Sequence, residues 1–174
     1  MITTYNVISE DGFIARQDGS EDFIPDELWS RTLEFFCKFD ILIMGRKTYD
    51  ALQRYDQKLL NEFENIKKIK KGVVTKDINF IPKDGYEVFH SPEEAVKSAQ
   101  NVLVSSGPEL NTFLLRNKLI DEVRLWKLPG LKIGTGIPAF YDYIGGAYIG
   151  DVDKYNLIKE KIYIRPYSKG PIKD

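Results

Sequence analysis

The chain has 174 residues, 43% of them hydrophobic and 29% charged. That is the size and balance of one soluble domain able to close its own core. Its 25 lysines and arginines against 26 aspartates and glutamates leave a formal charge of -1, which argues against a broad nucleic-acid-binding surface. One cysteine, Cys37, and one histidine, His90, exclude an intrachain disulfide and disfavour a thiolate or histidine metal site and a hydrolase triad. No stretch approaches 18 apolar residues and no leader is visible, so a cytoplasmic protein without a membrane span is expected.

Residues 2–9 (ITTYNVIS) read as a first strand, broken at Glu10-Asp11-Gly12. Pro25 and the acidic pair Asp26 and Glu27 suit a helix start, and Leu28, Thr32, Phe35 and Phe36 carry helical spacing, predicting a helix over 25–38. The wholly apolar run Ile41–Met44 has the look of a central strand covered on both faces. Helices are expected over 48–55 and 57–65, and strands over 72–75 and 86–89. Ser91-Pro92-Glu93-Glu94 predicts a capped helix to about residue 99. Then follow a strand at 102–105, a helix at 109–116 and a strand at 121–128. Residues 130–137 are glycine-rich and read as a loop, and 156–167 hold a last strand around Ile162 and Ile164. Strands alternating with helices imply one α/β domain, a mostly parallel sheet with helices on both faces.

Ligands of such sheets sit beyond the carboxyl ends of the strands. Three such ends share a composition: Gly45-Arg46-Lys47-Thr48, Thr75-Lys76, and Ser105-Ser106-Gly107-Pro108. Glycine admits close backbone approach, a helix terminus offers free amides, and Arg46, Lys47 and Thr48 supply oxyanion-binding groups. Neither GxGxxG after the first strand nor GxxxxGK[ST] occurs, so a phosphate-bearing ligand would be held in another way. His90 is read as a loop histidine away from these three ends, and Cys37 as a core residue.

The segments ISEDGFIA (8–15), DILIMGRKTYDAL (40–52), VVT (73–75), VSSGPEL (104–110), LIDEVRL (119–125) and IGTGIPAF (133–140) occur in this order. With them the chain resembles the dihydrofolate-reductase-like superfamily, in the branch of the riboflavin-biosynthesis reductase domain and uncharacterised relatives. The resemblance implies a three-layer dihydrofolate-reductase-like fold and NADPH lying across the strand ends. It implies that Gly45, Arg46, Lys47 and Thr48 contact the cofactor phosphates, with Arg46 and Lys47 selecting the 2'-phosphate. Thr75 and Lys76 would lie beside the adenosine ribose, Ser106 and Gly107 beside the pyrophosphate and nicotinamide, and Ile14 and Ala15 over the nicotinamide ring. Glu27 matches the carboxylate that holds the pterin in dihydrofolate reductases, with Asp26 beside it, so these two are the candidate catalytic residues.

Ser106 stands where the family has the first of two glycines. Phe13 and Ser105 replace the lysine and glutamate of riboflavin-pathway reductases, which disfavours riboflavin synthesis itself. The expected activity is hydride transfer from NADPH to a pterin-like or pyrimidine-like heterocycle. The alternatives are a cofactor-binding or structural homologue without activity, and a dihydrofolate reductase proper. A homodimer is the expected assembly, with no metal.

Overall fold

The structure is a computed structural model that describes residues 1–141, 143, 144, 147, 148 and 159–164; the side chain of Glu27 and those from residue 142 onward lie outside the described set. Seven strands form the central sheet: β1 (Ile2–Ser9), β3 (Ile41–Gly45), β4 (Lys70–Val74), β5 (Tyr86–Phe89), β6 (Val102–Val104), β7 (Glu122–Leu128) and β11 (Lys159–Ile164). Their order is β11-β7-β1-β6-β3-β4-β5, and every pairing is parallel. Parallel neighbours cannot be joined by a tight turn, so the chain crosses over between them. The helices α1 (Glu27–Phe36), α2 (Arg46–Leu52), α3 (Gln57–Glu64), α4 (Pro92–Lys97) and α5 (Pro108–Arg116) make most of these crossings.

The period of two along each strand divides the core into two layers. Ile41, Ile43, Val102 and Val104 pack with Leu114 and Leu115 of α5 and Ala95 and Val96 of α4. The alternate residues Leu42, Met44 and Leu103 pack with Phe36 of α1, Tyr49 of α2 and Phe63 of α3. The sheet is therefore covered on both faces, which is why its central strands read as unbroken apolar runs. Each fully buried aliphatic or aromatic side chain in these layers contributes roughly 1.5–3 kcal/mol.

The local signals explain the boundaries. Ser91 caps α4 by accepting from the Glu94 N–H at 3.1 Å, and Pro92 occupies its first turn. The Glu94 carboxylate reaches back to the His90 N–H at 3.2 Å. Asp56 caps α3 through the Lys58 N–H at 2.9 Å. Helix α1 begins at Glu27, two residues later than the proline suggests, and Asp26 makes no side-chain capping hydrogen bond. Helix α2 begins at Arg46, two residues earlier than predicted, directly off the end of β3.

The stretch 130–137, expected to be loop throughout, ends in a strand residue. β2 (Phe13–Ala15) pairs antiparallel with β8 (Ile137–Pro138), with Ala15 opposite Ile137. A second small ribbon joins β9 (Tyr143–Ile144) to β10 (Ala147–Tyr148). Of the predicted last strand, 159–164 is strand; the side chains of Ile162, Ile164 and Tyr143 lie outside the described set. Among the described residues, no helix is long and apolar enough to cross a membrane.

Candidate functional site

Two of the three strand-end loops are tied together by one hydroxyl. Ser106 Oγ accepts from the Gly45 N–H at 3.0 Å, and Thr48 Oγ1 lies 3.4 Å from it. Thr48 Oγ1 in turn accepts from the Gly107 N–H at 3.3 Å. A Cβ on Gly45 would come within 3.2 Å of the Ser106 oxygen, so glycine permits this approach. Ser106 thus acts as a cross-link between the ends of β3 and β6.

The Ser106 carbonyl is fixed from behind. It accepts from Asn6 Nδ2 at 2.9 Å and from Asn111 Nδ2 at 2.9 Å. Asn111, fully buried, also donates to Asn6 Oδ1 at 3.0 Å and to the Ala139 carbonyl at 3.0 Å. Sequence reasoning missed both asparagines. The available signal was asparagine inside a strand, at Asn6, and on the core side of a helix, at Asn111, where it persists only with partners.

Beside this junction opens a cleft of about 670 Å³. Ile14, Thr48, Ser106 and Gly107 line it at the strand ends, and Asp26, Trp29 and Thr32 line it from the side of α1. Leu42 and Met44 of β3 contribute apolar wall, and the loop residues 18–22 border the opening. Of the residues singled out from sequence, Ile14, Asp26, Thr48, Ser106 and Gly107 share this cleft. Gly45, Arg46, Lys47, Thr75, Lys76 and Ala15 stand outside its wall. The Glu27 side chain lies outside the described set.

A carboxyl group that the sequence did not single out lies in the cleft. Glu21 lines it, and the Tyr55 hydroxyl donates to its Oε2. Burial raises the Glu21 pKa above the ordinary glutamate value, and the Tyr55 hydrogen bond only partly offsets this. Burial, and then the charge of Glu21, drive the Tyr55 phenol far upward, so Tyr55 remains a donor. The Trp29 ring lies 5.8 Å from that of Tyr55, and its indole N–H has no hydrogen-bond acceptor among the described residues. Asp26 is exposed, and with no helix cap to make, its carboxylate is available to the cleft.

The basic residues of the second turn are engaged. Arg46 Nε lies 2.9 and 3.0 Å from the Asp50 carboxylate oxygens, Nη1 lies 3.7 Å from Asp77, and the guanidinium sits 3.9 Å above the Phe80 ring. Lys47 Nζ is 3.2 Å from Glu109, with both side chains exposed. Thr75 is buried; its N–H donates to the Phe89 carbonyl at 2.9 Å and its hydroxyl accepts from Asp77 N–H at 3.1 Å. Lys76 is exposed. His90 departs from the expectation that it lies away from these loops. Its Nδ1 is 3.2 Å from the Thr75 carbonyl, because β4 and β5 are parallel neighbours whose ends coincide.

The ISEDG turn supports the cleft from the other side. Asp11 accepts from Ser9 Oγ at 2.6 Å, from Gly134 N–H at 2.8 Å and from Ile133 N–H at 3.3 Å. Desolvation acts to raise its pKa, but these hydrogen bonds together hold the carboxyl below its ordinary value. Glu10 accepts from the Gly130 N–H at 2.8 Å. Gly136 packs so close that a Cβ there would lie 2.3 Å from the Ala15 carbonyl. Ile14 therefore enters the cleft on a strand pinned at both edges.

No family model matches the chain. It is 26% identical over 147 residues to the "Uncharacterized protein YwjB" of Bacillus subtilis (strain 168), covering 79% of this chain and 81% of that protein. A solved structure from Shewanella sp. PV-4, described as a "Putative riboflavin biosynthesis protein", superposes with a TM-score of 0.64 at 21% identity, over 80% of this chain and 82% of that one. The likeness to that structure lies in the α/β fold, with its parallel sheet covered by helices on both faces.

Proposed function

We propose that the chain is an NADPH-dependent oxidoreductase of the dihydrofolate-reductase-like kind that reduces a pterin-like or pyrimidine-like heterocycle. The observation that carries this reading is the cleft itself. It lies at the carboxyl ends of parallel strands, with a glycine-capped helix at one end and a carboxylate and aromatic wall at the other. The likeness to the Shewanella structure supports the fold in which this cleft is set.

The residues fit a dinucleotide. Gly107 caps the nine-residue α5 without a side-chain hydrogen bond, which leaves first-turn amides for an anionic oxygen. Bound NADPH supplies the hydride. Ile14 and Ala15 present an apolar edge for its ring, and Gly45 and Thr48 hold the turn against Ser106. Thr75 and Lys76 stand at the adenosine end, and Arg46 and Lys47 meet the 2'-phosphate. To do so, Arg46 exchanges Asp77, and Lys47 exchanges Glu109, for phosphate; these pairs are exposed, and such pairs contribute at most about 1 kcal/mol. Asp26 and Glu27 are the carboxylates that hold the heterocycle through its N–H groups.

Calorimetric titration of the protein with NADPH and with NADH tests the reading. NADPH is expected to bind more tightly, and Arg46→Ala to weaken NADPH about tenfold more than NADH, the effect of one lost charge-assisted contact. Equal weakening removes the 2'-phosphate role from Arg46. Tight NADPH binding with no oxidation across a panel of pterins and pyrimidines makes the protein a binding homologue. Binding of neither cofactor overturns the redox reading.

A further inference from the structure

The cleft holds a chemical asymmetry of which the reductase reading uses only the Asp26 side. Asp26 offers an acceptor, whereas Glu21 offers a donor: its carboxyl sits in a partly buried position that disfavours its charge. Tyr55 saturates one Glu21 oxygen, so the carboxyl has one remaining edge to present. We propose that Glu21 is the substrate-selecting acid of this cleft, its neutral carboxyl donating a hydrogen bond to a ring nitrogen or carbonyl of a flat, uncharged heterocycle. The proposal deepens the reductase reading and rests on it for the identity of the site.

The charged groups that line the cleft around Glu21 are mostly acidic. Asp18, Asp22, Asp26 and Asp56 line the same cleft, and Arg54 is its cation. Arg16 is drawn to Asp22, with Nε to Oδ1 at 2.6 Å. The lining of the cleft is thus acidic, while burial is what disfavours the charged form of Glu21. A ligand carboxylate or phosphate at this end would meet repulsion, while an acceptor-bearing neutral ring is accommodated. The aromatic pair Trp29 and Tyr55 supplies faces for such a ring.

The test uses 6-methylpterin as probe, read by its fluorescence from about pH 4 to about pH 7, on the full chain and on Glu21→Gln, Glu21→Ala and Tyr55→Phe. Wild-type affinity is expected to fall as pH rises. Glu21→Gln, which keeps shape and a permanent donor, should hold the low-pH affinity and lose the pH dependence. Glu21→Ala should bind about tenfold more weakly at low pH, as one lost hydrogen bond implies. Tyr55→Phe removes the one interaction that lowers the Glu21 pKa, so the inflection should move to higher pH. The carboxyl carbon of Glu21, followed by NMR across the same range, should titrate above the ordinary glutamate value without any ligand. The proposal is overturned if the pH dependence survives in Glu21→Gln, if Glu21→Gln binds as poorly as Glu21→Ala, or if the probe does not bind the wild type at low pH. Calorimetry with NADPH on the same variants separates the two readings. Intact NADPH binding with Glu21-independent pterin binding removes this proposal alone. Glu21-dependent pterin binding without NADPH binding removes the reductase reading alone.

Discussion

Asp77 stands 3.7 Å from the Arg46 guanidinium, the group proposed above to meet a 2'-phosphate. An incoming phosphate must displace it and remain near its charge. Asp77→Asn is therefore expected to tighten NADPH by a few-fold and leave NADH unchanged, as paired calorimetric titrations would show. Asn111 makes a second case. Its amide serves three buried acceptors, and Asn111→Ala leaves the Ala139 carbonyl and Asn6 Oδ1 without their described partner. Urea unfolding should show a loss of about 1–3 kcal/mol. These residues also show what the sequence concealed. Gly45, Thr48, Ser106 and Gly107 were visible because they fall in two short runs, each directly after a strand. Glu21 was not, because its partner Tyr55 is 34 residues away and surface loops are full of carboxylates. Burial is a property of the pair, and a single position in a sequence does not display it.

At the scale of elements, strand and helix identity followed hydrophobic period closely. Ile41–Gly45, Val102–Val104 and Glu122–Leu128 all fall on predicted strands. The failures have a common cause. β2 and β8 are three and two residues long, too short to express a period of two, and they are fixed by Asp11 and Gly136 from outside themselves. Pro25-Asp26 looked like a helix start, yet the cap carries no side-chain bond and the helix opens two residues later, with Asp26 left to the cleft. Between strands, close packing sets a sharper limit. Gly72 of β4 faces Phe89 of β5, whose ring carbon lies 2.6 Å from where a Cβ would stand. Gly72→Ala should cost about 1–3 kcal/mol, measured by the same unfolding experiment, as Phe89 is forced from its position.

For the molecule as a whole, two carboxyls shape stability against pH in opposite directions. Glu21 has a raised folded-state pKa, so the folded chain binds its proton more tightly than the unfolded chain does. Its contribution is complete below the ordinary value of 4.5 and is lost as pH climbs through the raised one. Asp11 is held below 3.8, and its contribution is present above that value and lost as pH falls beneath it. A melting series across pH should decline on both sides, and Glu21→Gln should flatten only the upper decline.

The strand order has a further consequence, for the way the chain is made. β1 precedes both of its neighbours, β6 and β7, by a long stretch of chain: Ile2 aligns with Val102 and Thr3 with Glu122. Until β6 has been made, this interior strand of the sheet has both hydrogen-bonding edges open. Synthesis must carry an apolar, unpaired segment through most of its duration. Pairing with β6 then brings Asn6 to the Ser106 carbonyl and to Asn111, so this wall of the cleft forms only as the inner sheet does.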